Sequence, residues 1–355
     1  MKKIGVITFS KSLNYGAFLQ AYALQRVLIY EGFDASLIDY ETAADAKRYK
    51  LIDTRSAVKM VKSLVFLPIN YRRKRSFRKC TKLLRYSSKN DFYDVAICGS
   101  DQIWNPVLSG NDIDPYFSLE KINSRRKVSY AASIGNESVV RQKEAEFKAI
   151  VNRLDYISVR ELQAKKALGE VTNKPIAVTI DPTALFTREQ WLKAVEKEKI
   201  DKNQYIFAYF IGLRKEQTNI LNMICQKTGL KALSYTRKPS SRMYMYKYCY
   251  MDGPFKFLSR LRDARLVITS SFHGTILSII LHKNFYVLAP DPKKRSRMDN
   301  ILKLVGLTDR IIENEKDIKK VNLNDIDYTE PQNKLDNLRN ESLEWLRNAV
   351  GIEDE

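Results

Sequence analysis

The 355 residues include only four cysteines and two histidines. Cys80, Cys98, Cys225 and Cys249 lie far apart without a CxxC pair, so neither a disulfide framework nor an ordinary Cys/His zinc site is signalled. No uncharged apolar run approaches the roughly 18–20 residues a transmembrane helix needs. The opening "MKKIGVITFS" turns polar too early for a signal peptide. These absences predict a reduced, cytoplasmic protein with no structural metal. Acids are missing locally: "RRKRSFRKCTKLLRYSSK" (72–89) holds nine Lys or Arg and no Asp or Glu, in a chain of formal charge +20. Either the segment is a solvated helix face, or it has an anionic neighbour: nucleic acid, an anionic membrane face or a polyanionic glycan carrier.

What is present alternates. An apolar run at 4–9, a polar turn at 10–16, helical spacing over 17–31, a stop at Gly32 and a second strand at 35–40 make a βαβ unit, which implies a parallel sheet. Strand-like runs follow at 95–98, 128–132, 156–159 and 176–180, with helical patterns at 142–154 and 161–168. Residues 42–92 interrupt the alternation with a basic, mostly helical insertion, amphipathic around 57–69. A second set of strands, at 205–211, 232–235, 266–269 and 285–288, alternates with helices at 216–228, 255–263 and 274–282. The expected fold class is therefore α/β, with two Rossmann-like domains (1–185 and 186–330) facing a cleft. A last helix, within 331–355, carries Leu335, Leu338, Trp345, Leu346 and Ala349 on one face and is expected to pack back near the domain junction.

In open parallel sheets ligands bind beyond the carboxyl ends of the strands. That rule selects "SKSLNYGA" (10–17), "CGSDQIWNP" (98–106), "AASIG" (131–135), "VREL" (159–162) and "SSFHGT" (270–275). The first loop has neither GxGxxG nor a Walker pattern, so a dinucleotide or P-loop nucleotide is not signalled. Asn14 and Gly16 either present donors to a ligand or cap a helix. Asp101 follows a Gly-Ser turn, from which a carboxylate can reach a sugar hydroxyl as acceptor or general base, or else bind its own backbone. Trp104 is a stacking platform or core. Arg160 comes straight after a strand, and its guanidinium suits a carboxylate or phosphate in the cleft, unless it pairs with Glu161 or Asp181. His273 sits at a strand-to-helix turn among Ser270, Ser271, Gly274 and Thr275, where an anion can be held while the imidazole moves a proton. His282, at the other end of that helix, is expected to interact with the helix dipole.

The segments "GSDQIWNP" (99–106), "SYAASIG" (129–135), "ISVRE" (157–161), "IDPT" (180–183) and "SSFHGTILSIIL" (270–281), in this order, resemble the bacterial polysaccharide pyruvyl transferase family over about residues 1–310. The resemblance implies a fold like the GT-B glycosyltransferases and, with no metal or cofactor, transfer of pyruvate from phosphoenolpyruvate onto two hydroxyls of a sugar as a cyclic ketal. It implies His273 as acid/base and Arg160 as the grip on phosphoenolpyruvate. Better-known members place an arginine two residues before the histidine; here that position is Ser271, and Arg297 is the candidate replacement cation. The acceptor would be a capsular, exopolysaccharide or cell-wall precursor, lipid-linked, with the protein at the inner membrane face. Competing readings are a nucleotide-sugar glycosyltransferase of the same architecture and a non-catalytic polyanion- or nucleic-acid-binding protein. Nucleic acid is not expected, because the basic residues lack interleaved aromatics.

Overall fold

Short apolar runs followed by polar, turn-forming loops build the two parallel sheets of the computed structural model, which describes residues 1–52, 56–198, 204–212, 214–236, 245–288 and 295–351. The chain divides into two units: residues 1–186 with 338–355, and residues 187–337.

The first unit holds β1 (Lys3–Ile7), β2 (Asp34–Ile38), β3 (Tyr86–Ser87), β4 (Phe92–Cys98), β5 (Asn123–Ala132), β6 (Tyr156–Val159) and β7 (Ile176–Val178). Their order is β3-β2-β1-β4-β5-β6-β7, every pairing parallel. The second unit holds β8 (Ile206–Tyr209), β9 (Ala232–Ser234), β10 (Met245–Tyr248), β11 (Leu266–Thr269), β12 (Phe285–Leu288) and β13 (Ile311–Ile312), ordered β10-β9-β8-β11-β12-β13, again all parallel. In each sheet the chain runs outward from a central strand and then returns to that strand's other side. The reversal lies between β1 and β4 in one sheet and between β8 and β11 in the other. Loops at such a switch point diverge and leave a crevice at the carboxyl edge.

The interrupting segment is helical at Ala43–Arg48, Ala57–Val65 and Leu67–Thr81, and it also supplies the edge strand β3, which two residues of weak periodicity do not announce. The helix Tyr15–Tyr30 starts two residues before the apolar periodicity does, because the Asn14 side chain accepts from the backbone N–H of Gly16 and Ala17. The helix Phe272–Ile280 likewise starts early, capped by Ser271. The helix Thr329–Val350 is divided between the units at Leu338. Leu335, Leu346 and Ala349 are buried, while Leu338 and Trp345 are only half-buried. Its buried stripe also carries Arg339 and Ser342, which bond to the Ala184 carbonyl at 2.7 Å and the Ile180 N–H at 3.1 Å. Among the described residues no helix is long and apolar enough to cross a membrane, and no disulfide is formed.

Candidate functional site

The carboxyl edge of the first sheet gathers a charged cluster from four strand ends. Arg160 follows β6, and its Nη1 donates to Asp181 Oδ2, beyond β7, at 2.7 Å. Its Nε lies 3.6 Å from Glu161 Oε1, and its Nη2 lies 3.9 Å from Asp101 Oδ1, beyond β4. Ser133, beyond β5, donates to Glu161 Oε1 at 2.6 Å. Asp181 also accepts from Ser100 Oγ at 3.2 Å and from the Thr183 N–H and hydroxyl at 3.0 and 2.7 Å. Burial opposes the guanidinium's charge, but Glu161, Asp181 and Asp101 outweigh it, so Arg160 is held more firmly protonated than an ordinary arginine. Three carboxylates around one cation leave the cluster formally anionic.

Backbone strain marks the same edge. Asp101 has φ +70° and Ala131 +46°, both left-handed and neither glycine. The Ser133 N–H donates to the Asp101 carbonyl at 3.0 Å, locking the β4 and β5 exits together. Gly99, at φ +121°, is obligatory here, because a Cβ would stand 2.1 Å from the Tyr130 carbonyl oxygen. The Thr8 hydroxyl donates to the Ser100 carbonyl at 3.0 Å, so the loops beyond β1 and β4 meet at the switch point.

Asp45, on the interrupting segment, joins this neighbourhood. It is buried, pairs with Arg48 at 3.2 Å and feels both Ser12 and Asp101. Burial pushes its carboxyl up to about 6 from 3.8, against the opposing pull of Arg48. Since the folded value is the higher one, Asp45 contributes its full stability below about pH 4 and loses it as the pH rises through about 6. Asp45→Asn, uncharged throughout, is expected to exceed the parent by on the order of 2 kcal/mol above about pH 7 and to match it near pH 4. Urea midpoints at the two pH values check this.

The switch point of the second sheet is built around "SSFHGT". The Ser270 N–H donates to the Tyr209 carbonyl at 3.1 Å, and its hydroxyl accepts from the Ile211 N–H at 3.3 Å, tying the β11 exit to the β8 exit. Ser271 is buried as the N-cap, its hydroxyl accepting from the Gly274 N–H at 3.4 Å. Thr275 turns back to the Ser271 carbonyl at 3.0 Å. Gly274 packs so closely on β11 that a Cβ would come 2.3 Å from Thr269 Oγ1. These four residues thus shape the turn, and His273 occupies the first turn of the helix, 7% exposed and edge-on to Phe272 at 5.3 Å between ring centroids. Arg297 lies half-buried in the first turn of the helix Ser296–Val305, which follows β12 and packs beside Phe272–Ile280.

Two readings left open by the sequence are decided, and a third residue finds further partners. Arg160 turns inward to Asp181, because its charge finds three carboxylates at the sheet edge. Trp104 is fully buried, donates its indole N–H to the Phe117 carbonyl at 3.2 Å and meets Phe147 edge-on, so it is core and no stacking platform. His282 sits at φ +52° just past its helix, 2.8 Å from Gln332 Oε1 and stacked on Tyr328, partners that lie far along the sequence. Asn14 and Gly16 lie at the first switch point, Gly16 through its N–H serving the Asn14 cap at 2.9 Å. Asp101 and Arg160 share one cluster there. Ser270, Ser271, His273, Gly274, Thr275 and Arg297 belong to the other unit. Sequence reasoning missed Asp45, Ser133 and Arg214. The last is exposed at the start of the helix Lys215–Thr228, beyond β8, and its place after a strand was the available signal.

Residues 14–292 match the sequence model of the family described as polysaccharide pyruvyl transferase. No curated protein matches the chain significantly. Among solved structures, the UDP-GlcNAc 2-epimerase of Methanocaldococcus jannaschii is similar with a TM-score of 0.53 at 13% identity, over 93% of this chain and 95% of that one. The UDP-N-acetylglucosamine 2-epimerase of Rickettsia bellii is similar with a TM-score of 0.54 at 11% identity, over 99% and 97%. At such identities the likeness is one of fold, the two-Rossmann architecture of GT-B type.

Proposed function

Because the chain belongs to the polysaccharide pyruvyl transferase family, we propose that it moves pyruvate from phosphoenolpyruvate onto two hydroxyls of one sugar, forming a cyclic ketal. The observation that carries this is an imidazole in the first turn of a helix at a sheet's switch point, where the helix's positive end favours an anion beside a proton carrier. His273 protonates the methylene carbon of the enol, and the first sugar hydroxyl attacks the central carbon, giving up a proton that recharges the imidazole. The bond from that carbon to the phosphate oxygen then breaks, and the second hydroxyl closes the ring. The carbon gains one proton, the hydroxyls lose two, and inorganic phosphate carries away the other.

The carboxylate-rich edge of the first unit repels a phosphate. The donor belongs to the second unit, where Arg297 and Arg214 supply cations in place of the arginine that Ser271 replaces. Arg160 then positions Asp101 and Glu161 and does not grip the donor. The acceptor we assign is a lipid-linked precursor of a capsular, extracellular or cell-wall polysaccharide.

Phosphate release from phosphoenolpyruvate, measured with a panel of lipid-linked glycans, tests the assignment. Release that depends on acceptor is expected, with binding heat from phosphoenolpyruvate. Heat from UDP-N-acetylglucosamine and none from phosphoenolpyruvate would instead make the protein a nucleotide-sugar enzyme.

A further inference from the structure

We propose that the helix Ala57–Val65, together with the basic face of Leu67–Thr81, docks the protein on an anionic lipid bilayer. Helical spacing at 100° per residue sets Val58, Met60, Val61, Leu64 and Val65 on one arc of roughly 160°. All five are exposed, Val58 and Val65 at 77% and 70%. A folded chain that leaves five large aliphatic side chains of one helix in water has a surface meant for something apolar. Tyr71, on the next helix, is also exposed, as an amphipathic ring at a headgroup boundary would be.

Charge names the occupant. Residues 54–90 contain 12 Lys or Arg and no acid. Arg72, Lys74, Arg75, Arg78, Lys79 and Lys82 are all exposed beside the apolar helix, which packs next to Leu67–Thr81. Cations flanking an in-plane apolar stripe suit anionic headgroups above acyl chains. A second copy of this chain would bring the same uncompensated positive charge to the contact. Nucleic acid would leave the aliphatic stripe without a use.

Arg73 is the exception within the basic run. It is buried between the rings of Tyr15 and Phe77, at 4.5 and 4.8 Å from their centroids, and donates to the Leu13 carbonyl at 2.6 Å. The surface element is thereby fastened to the loop beyond β1, at the switch point of the first unit. This surface does not depend on the transfer chemistry proposed above.

The test floats the full chain with vesicles of phosphatidylcholine alone and of phosphatidylcholine mixed with phosphatidylglycerol. Wild type is expected on the mixed vesicles only. Lys74→Ala/Arg75→Ala/Arg78→Ala should lower the bound-to-free ratio roughly a hundredfold, about fivefold per charge. Val61→Asp/Leu64→Asp should abolish flotation, with unchanged circular dichroism showing that both variants fold. Flotation that survives Val61→Asp/Leu64→Asp would overturn the proposal, since only charge would then be read. So would a wild type that stays off all vesicles, including one that sediments as a dimer which Val61→Asp/Leu64→Asp makes monomeric.

Discussion

Asp181→Ala is expected to destabilise the protein by about 3–5 kcal/mol, among the largest effects of any single substitution in the first unit. The aspartate is buried and accepts hydrogen bonds from Arg160, from Ser100 and twice from Thr183. Its removal leaves the buried guanidinium with Glu161 at 3.6 Å and Asp101 at 3.9 Å and strips the short helix Pro182–Leu185 of its cap. Asp181→Asn keeps the acceptor that caps Thr183 and should lose markedly less. Urea unfolding of Asp181→Ala, Arg160→Met and the double variant isolates the pair. Losses that simply add would mean that the two side chains do not support each other, and Arg160 would then be available to a ligand as the sequence suggested.

How far the sequence could be read depends on whether a neighbour in the chain or a neighbour in space decides the outcome. The strands Leu266–Thr269 and Phe285–Leu288 are legible to the residue, because each is a short apolar run bounded by polar turns and buried on both faces. Which of its alternatives Arg160 takes is not legible, although Asp181 stands among them. Its partners beyond Glu161 are Asp101 and Asp181, brought beside it only by the β4-β5-β6-β7 order of the finished sheet. The choice between platform and core for Trp104 is hidden for the same reason, since Phe117 and Phe147 close over it from other elements. Asp45 looks like one more solvated acid in a polar stretch, and it is chiefly burial in the folded chain that raises its carboxyl. The turn at 270–275 reads well because its bonds are local: Ser271 to Gly274, Thr275 to Ser271. The substitution of Ser for the family's arginine has a local meaning too. Ser271 is a buried N-cap, a role in which a guanidinium cannot accept from the Gly274 N–H.

On the reaction proposed above, His273→Gln is expected to cut pyruvyl transfer by about 10²–10⁴-fold, the usual worth of a positioned general acid. Glutamine matches the length of the imidazole and keeps a polar end, so the helix and its cap should persist and the melting temperature should barely move. If the imidazole acts only by giving its proton, the loss falls on kcat while the KM for phosphoenolpyruvate changes little. A rise in KM alone would make His273 a binding residue and leave the acid unassigned. His282→Gln provides the contrast inside the same unit. That ring lies 2.8 Å from Gln332 Oε1 and stacks 4.5 Å from Tyr328, so its loss should lower stability by about 1 kcal/mol and leave turnover intact. Two histidines at opposite ends of one short helix therefore separate by environment. One sits in the first turn of a helix, just after the Ser270 that ties the β11 exit to the β8 exit; the other closes a helix end against the chain's own side chains.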